Sequence, residues 1–237
     1  MDVLRQACEA FGLTLSDVQL AQFEQYLELL LEWNSRINLT AIREPEAIRL
    51  RHFADSLSCL AATGELEGQR LADVGTGAGF PGLVLKICFP DMQLTLVESV
   101  GKKCRFLEEV VSRLTLQTVE ILQERVEVVG RLPAHRERYD WAVARAVTQM
   151  PALVEYLLPL CRVGGSMLAQ KGSSAAEETE NAAWAIKQLG GDAAQVLQVS
   201  VPGEEASRFL VTVKKVRPTP SKYPRRTGVP TKQPLSR

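Results

Sequence analysis

Hydrophobic positions change their period near residue 68. Before it, apolar residues recur at helical spacing, with Val18, Phe23, Leu27, Leu30 and Leu31 forming one stripe. Ser16, with Gln19 three residues on, makes a capping box at its start. Pro45 suits the first turn of a second helix running through Ile48, Leu50, Phe53 and Leu57. The prediction is a helical N-terminal region over residues 1–67. From Gly68, strand and helix patterns alternate. Strands are predicted at Arg70–Val74, Gln93–Glu98, Thr118–Gln123, Tyr139–Arg145, Ser166–Gln170, Gln195–Val201 and Phe209–Val216. Helices fit at Gly82–Phe89, Lys102–Leu114, Met150–Leu158 and Ala175–Leu189. This alternation predicts an α/β core over residues 68–216, its mostly parallel sheet covered on both faces. Only the turn Pro202-Gly203-Glu204-Glu205 separates the last two strands, so the last should run antiparallel in a hairpin. The tail, residues 217–237, carries Pro218, Pro220, Pro224, Pro230 and Pro234 and should form neither helix nor interior strand.

Composition narrows the class. Of 237 residues, 46% are hydrophobic and 24% charged, enough for one sizeable core. Asp2, Arg5 and Glu9 interrupt the N-terminus and no apolar run follows, so no signal peptide is expected. Leu83–Phe89 is too short to span a bilayer. The five scattered cysteines form no CxxC pair and read as reduced thiols of a cytoplasmic protein. His52 and His135 are the only histidines, which argues against a zinc site, and no metal is expected. The zero net charge hides an asymmetry: from Ala206 onward there are nine basic residues and, among these, no acidic one. A basic tail on an acidic body can meet a polyanion locally.

The strongest local signal is Leu71-Ala-Asp-Val-Gly-Thr-Gly-Ala-Gly-Phe-Pro-Gly82, between a predicted strand and a predicted helix. Gly75, Gly77 and Gly79 are spaced GxGxG, where a nicotinamide-binding loop usually reads GxGxxG. Asp73, that spacing and Pro81 favour a sulfonium cofactor, S-adenosylmethionine. Glu98 ends the next strand 23 residues after Gly75, where a carboxylate can accept from both ribose hydroxyls. A seven-stranded sheet closing on a hairpin fits a Rossmann-like class I S-adenosylmethionine methyltransferase better than an NAD-binding domain.

The whole chain resembles the small-subunit (16S) ribosomal RNA guanine-N7 methyltransferases, also called glucose-inhibited division protein B. The resemblance rests on Trp33-Asn34…Ile37-Asn38-Leu39-Thr40, Arg51-His52-Phe53…Asp55-Ser56-Leu57, the Asp73–Gly82 loop and Thr95–Ser99 with Lys102-Lys103. It continues through Arg125-Val-Glu127, Arg145-Ala146, Lys171-Gly172 and the tail Tyr223–Leu235. It implies that Gly75, Phe80, Glu98, Val126, Glu127 and Arg145 hold the cofactor, Val126 packing on the adenine and the Glu127 region meeting its polar edge. The implied substrate is 16S ribosomal RNA or the small ribosomal subunit.

The residues fit that chemistry partly by what is missing. The fourth strand ends in Ala144-Arg145-Ala146-Val147, not in the Asn/Asp-Pro-Pro-aromatic motif of exocyclic-amine methyltransferases. Cys161 leads into a strand and reads as structural, not as the nucleophile of pyrimidine-carbon methylation. Guanine N7 carries a lone pair and no proton, so alignment does most of the work. Arg51, His52, Asp55, Arg145 and Lys171 are the candidate catalytic or RNA-positioning residues. Arg51 and Asp55 share a helix face, where they either act on RNA or pair locally with His52 packed inside. Trp33 and Asn34 read as a helix-end packing unit. Lys171 either reaches phosphate or base or is a solvated lysine. Lys222, Arg225, Arg226 and Lys232 are candidates for RNA phosphates, the tail being either a basic arm or a strap over the cofactor pocket. Rival readings are a non-catalytic cofactor-binding regulator and a nicotinamide-dependent oxidoreductase. Nothing in the sequence sets an oligomeric state, and a monomer is the expectation.

Overall fold

A computed structural model describes residues 2–204 and 207–236. Five helical pieces come first: α1 (Asp2–Ala10), α2 (Asp17–Asn34), α3 (Pro45–Ile48), α4 (Asp55–Leu57) and α5 (Leu60–Thr63), with a π-helical stretch at Arg49–Ala54 between α3 and α4. The core follows as β1 (Arg70–Val74), α6 (Gly82–Cys88), β2 (Gln93–Glu98), α7 (Gly101–Arg113), β3 (Val119–Gln123) and α8 (Val126–Val129). It continues through β4 (Tyr139–Arg145), α9 (Met150–Leu157), β5 (Cys161–Lys171), α10 (Ala175–Gln188), β6 (Gln195–Val199) and β7 (Arg208–Lys214). A last short helix, α11 (Val229–Lys232), lies in the tail.

The strands form one sheet in the order β3-β2-β1-β4-β5-β7-β6. β7 inserts between β5 and β6 and runs antiparallel to both, while the pairs among the other strands are parallel. Strand order reverses between β1 and β4, which opens a crevice at the carboxyl ends there. Successive strand residues supply opposite faces. Leu71, Leu94, Leu96, Val143 and Leu168 pack with α6, α7 and the N-terminal helices. Ala72, Val97, Ala142, Met167 and Val211 face α9, α10 and the tail.

The capping box at the start of α2 forms as predicted: Ser16 Oγ accepts from Gln19 N at 3.3 Å and Ser16 N donates to Gln19 Oε1 at 2.8 Å. Gln19 Nε2 also donates to Ile87 O at 2.8 Å, fastening α2 to the end of α6. Asn34 ends α2 as a loop staple, its Oδ1 accepting from Leu39 N at 2.9 Å and Thr40 N at 3.1 Å. Trp33 packs edge-on to Phe106. Four expectations are corrected. Val18 is 69% exposed, outside the buried stripe. The helix from Pro45 is interrupted by the π-helical turn. The tail does hold a helical turn, with Pro230 near its start, where a missing N–H costs nothing. β5 also starts earlier than predicted, because Gly164-Gly165 belongs to it: a Cβ on Gly165 would sit 2.7 Å from Asp140 O. Glu205 of the predicted turn and Arg237 of the basic tail lie outside the described residues. No helix among the described residues is long and apolar enough to cross a membrane.

Candidate active site

β1 delivers the chain into the glycine loop. Gly75, Gly77 and Gly79 all have positive φ, at +66°, +62° and +96°, a backbone that favours glycine. Their surroundings differ. A Cβ on Gly75 would approach Val147 Cγ2 to 2.7 Å, whereas one on Gly77 would meet nothing nearer than 3.9 Å. A Cβ on Gly79 would strike Leu83 Cδ1 at 2.4 Å and the Tyr26 hydroxyl at 2.5 Å. Gly79 is thus required for packing against α2 and α6, not for ligand approach. Asp73, expected among the cofactor contacts, is fully buried behind the loop, its Oδ1 without a hydrogen-bond partner among the described residues. Its Oδ2 accepts from Thr76 Oγ1 at 2.6 Å and from Gly82 N at 2.8 Å, stapling the loop to α6. Burial pushes its carboxyl up to about 6 against the opposing pull of those two hydrogen bonds.

A cavity of about 310 Å³ lies over the carboxyl ends of β1, β2 and β3. Val74, Val97, Val126 and Val147 give it apolar walls, and Gly75, Glu98, Ser99, Arg125 and Glu127 its polar ones. Glu98 is 6% exposed, its Oε1 accepting from Val100 N at 2.8 Å and its Oε2 from Gly77 N at 3.1 Å. Each oxygen keeps a second lone pair, so the carboxylate is fixed yet still able to accept hydroxyls. A fixed acceptor pair, a glycine edge and a slot of valines fit an adenosyl ligand. Val126 and Glu127 sit on the first turn of α8, not at a strand end. Glu127 Oε1 accepts from Gly228 N in the tail at 2.8 Å, and Tyr156 OH lies 3.4 Å from the same oxygen. One oxygen of this cavity-lining carboxylate thus ties the tail to α8. Tail residues Thr227, Gly228 and Thr231 complete the cavity. Sequence reasoning did not identify them or Tyr156.

Val147 and Thr148 line this cavity, so the cluster around Arg145, two residues upstream, lies along its β4 side. Asp55, 5% exposed, receives two guanidinium groups: Arg145 Nη1 donates to Oδ2 at 2.8 Å and Arg208 Nε to Oδ1 at 2.7 Å. Arg208 had no sequence signal beyond its position in the basic C-terminal stretch. Gln170 Nε2 donates to Asp55 O at 2.8 Å. Phe80 does not line the cavity. Its ring stacks on His52, with centroids 4.6 Å apart, and lies 5.0 Å from the Arg145 guanidinium. Arg145 itself also lies outside the cavity wall. His52 Nδ1 lies 3.3 Å from Arg145 Nη2, which can only donate, so the ring proton sits on Nε2, 2.7 Å from Thr40 Oγ1. Burial and the Arg145 charge push the imidazole down to about 4, and it is neutral.

Arg51 does not pair with Asp55. Its half-exposed side chain lies 3.3 Å from Glu204. Lys171 Nζ donates to Thr148 O at 2.6 Å and Glu178 Oε2 at 2.7 Å, so it is neither solvated nor free to reach phosphate. Burial would raise Glu178, but hydrogen bonds from Lys171, Ser174 and Met150 N outweigh it and hold the carboxyl below its usual range. Arg225 is committed to the fully buried Glu155, at 2.6 Å, which corrects its assignment to RNA. Lys222, Arg226 and Lys232 are exposed. Cys161 is buried in β5, its thiol pushed up to about 12 by burial.

Fold and site together define a Rossmann-like, S-adenosylmethionine-dependent methyltransferase. Solved structures similar in fold include an S-adenosylmethionine-dependent O-methyltransferase from Thermotoga maritima, with TM-score 0.55 and 14% identity over 81% of this chain and 73% of that one. Another is an S-adenosylmethionine-dependent methyltransferase from Aquifex aeolicus, with TM-score 0.53 and 19% identity over 73% of this chain and 94% of that one. The family model for rRNA small subunit methyltransferase G matches residues 19–207. Proteins called ribosomal RNA small subunit methyltransferase G are 49% identical in Roseiflexus castenholzii, over 99% of this chain and all of that one, and 43% identical in Alkaliphilus metalliredigens, over 98% of both. The chain belongs to the rRNA small subunit methyltransferase G family. Neither the oxidoreductase reading nor the non-catalytic one is favoured by these relatives.

Proposed function

We propose that this protein methylates N7 of a guanine in small-subunit ribosomal RNA. The family match, which over residues 19–207 includes the glycine loop, Glu98, Asp55 and Arg145, carries the reading. The geometry supports it because N7 has no proton to lose. His52 is neutral with both ring nitrogens occupied, and Asp55 is held by two arginines. These groups are built to hold position, not to take a proton. When bound, S-adenosylmethionine supplies an electrophilic methyl group. Glu98 would hold the ribose hydroxyls and Val126 would face the adenine. The Arg145 cluster would orient the guanine along the β4 side, and positioning of this kind supplies effective molarities of roughly 10⁵ M or more.

N7 is hidden in the deep groove of paired RNA, so the target lies in a loop or is flipped out. Arg51 from the helical region 1–67 and Arg226 and Lys232 from the tail 217–237 are exposed cations. They are the groups proposed to meet RNA phosphates, with Lys222 further along the tail. Arg226 and Lys232 line one hollow together with Thr227 and Gly228, which also line the cofactor cavity. A ribosomal RNA substrate would put the enzyme in the cytoplasm.

The test is methyl transfer from labelled S-adenosylmethionine to small-subunit ribosomal RNA from cells lacking this protein, with the labelled nucleoside identified. Label in 7-methylguanosine, lost on Glu98→Gln, is the expected result. Cofactor binding without label in that RNA would overturn the substrate.

A further inference from the structure

The tail crosses the molecule in two stretches of different strength. Up to Arg225 it is held firmly. Arg136 donates to Thr219 O and Tyr223 O, each at 2.7 Å, and Arg131 donates to Pro224 O at 2.8 Å. Arg225 grips both carboxylate oxygens of Glu155, and its backbone N–H adds a contact to Oε1 at 2.6 Å. Beyond it the chain passes over the cofactor cavity. There Thr227 and Thr231 are exposed, the Gly228 N–H donates to Glu127 Oε1 at 2.8 Å, the Thr231 hydroxyl meets that of Tyr156, and Pro230 is buried where α11 rests on α9. Leu235 then tucks back into the hydrophobic layer under α9 and α10. A mostly exposed segment pinned at both ends, with few polar contacts between them, can lift locally without unfolding the core.

We propose that residues 227–231 are a cofactor-binding wall that lifts for cofactor exchange, hinged at the Arg225–Glu155 latch. This rests on the cavity being the S-adenosylmethionine site. The tail's hydroxyls at the cavity are those of Thr227 and of Thr231, the latter shared with Gly228 O and Tyr156, and they are its groups able to meet the nitrogen edge of a purine. Each can donate and accept. The same latch explains the buried Glu155, whose charge needs the Arg225 guanidinium once water is excluded.

The experiment uses the full chain and S-adenosylhomocysteine as probe. Its affinity and dissociation rate are measured for the wild type, for Thr227→Val with Thr231→Val, and for Glu155→Met with Arg225→Met, which removes the latch without leaving a charge buried. Trypsin cleavage after Arg226 and Lys232 is followed with and without the probe. The double valine variant should weaken binding about tenfold, the effect of one lost hydrogen bond. The latch variant should release the probe about tenfold faster, and bound probe should protect both cleavage sites in the wild type. Unchanged affinity and release in both variants, with cleavage indifferent to the probe, would overturn the wall while leaving the cofactor site standing. A wild-type protein that binds no probe would overturn the cofactor site and the wall together.

Discussion

Asp55 stands between two positive charges, and neutralising it should be costly in a way that can be reversed. Its carboxylate is 7% exposed, 2.8 Å from Arg145 and 2.7 Å from Arg208, whose side chains are 16% and 26% exposed. At a charge separation of ~4 Å and an effective dielectric near 20, each pair is worth about 4 kcal/mol before desolvation. Asp55→Asn keeps the shape and the Gln170 contact to the backbone carbonyl but leaves two guanidinium groups sharing a neutral amide. Removing one partner of a buried pair costs roughly 3–5 kcal/mol. The partial exposure of Arg208 lets water screen one side, so about 3 kcal/mol is the expected loss. For a chain of this size that lowers Tm by about 6–12 °C, read by calorimetry at neutral pH. Adding Arg208→Met to the Asn variant removes the repulsion and should recover about half of the loss. Methyl transfer should fall further than stability predicts, because Arg145 loses its anchor beside Phe80, while affinity for S-adenosylhomocysteine stays near wild type. A Tm drop below about 2 °C, or no recovery on adding Arg208→Met, would refute the two-cation account.

The other predictions follow from the same geometry. Glu98→Gln should leave Tm within a few degrees but weaken S-adenosylhomocysteine about 10–100-fold by calorimetric titration, since hydrogen bonds to a charged acceptor contribute roughly 1.5–3 kcal/mol; unchanged affinity would move the ribose elsewhere. His52 and Asp73 should give opposing pH dependences of stability. With the imidazole at about 4 in the fold against 6.5 unfolded, the stability it contributes above pH 6.5 is lost as pH falls towards 4. With the Asp73 carboxyl at about 6 against 3.8, the stability it contributes below pH 3.8 is lost as pH rises through 6, by about 3 kcal/mol. Asp73→Asn should therefore steepen the rise of Tm between pH 4 and 6, and His52→Gln should flatten it; two profiles parallel to wild type would show both groups titrating normally. Arg226→Gln with Lys232→Gln should reduce the salt slope of RNA binding by about 1.4–1.8, and an unchanged slope would take the tail off the RNA.

The fold was legible because its signals are local. Three strands, Arg70–Val74, Gln93–Glu98 and Tyr139–Arg145, begin and end where the pattern puts them. They are apolar runs closed by a glycine, an acid or an arginine at the sheet end. The hairpin of β6 and β7 follows from the absence of a helix-length segment between them. What escaped was short or irregular. α8 and α11 are four residues each, below the length at which a period can be seen, and the π-helical turn at Arg49–Ala54 leaves no spacing signature of its own. α1 falls within the helical region expected over residues 1–67, with Leu4, Ala7 and Cys8 on its buried face.

The site was legible in its members and much less in their roles, and the reason is physical. A motif names residues that are close along the chain, whereas a charged side chain at a cleft takes its role from its counter-ion. Those partners came from far away: Arg145 and Arg208 meet at Asp55 across ninety and 153 residues, and Arg225 finds Glu155 across seventy. Spacing therefore put Arg51 and Asp55 on one helix face, but the carboxylate went to the arginines of β4 and β7. The same logic divides the glycines. GxGxG describes three positions of one backbone type, but only the third dimension separates Gly75, at the cavity wall, from Gly79, pressed under Tyr26. Asp73 is the sharpest case. Its place before the loop suggests a ligand, yet it is fully buried, and its Oδ2 holds the loop's shape from behind. In this fold the acid one strand over, Glu98, is left with lone pairs facing the cavity. A carboxylate inside a glycine motif is therefore assigned to ligand or to scaffold by what its oxygens already accept, and the sequence does not contain that information.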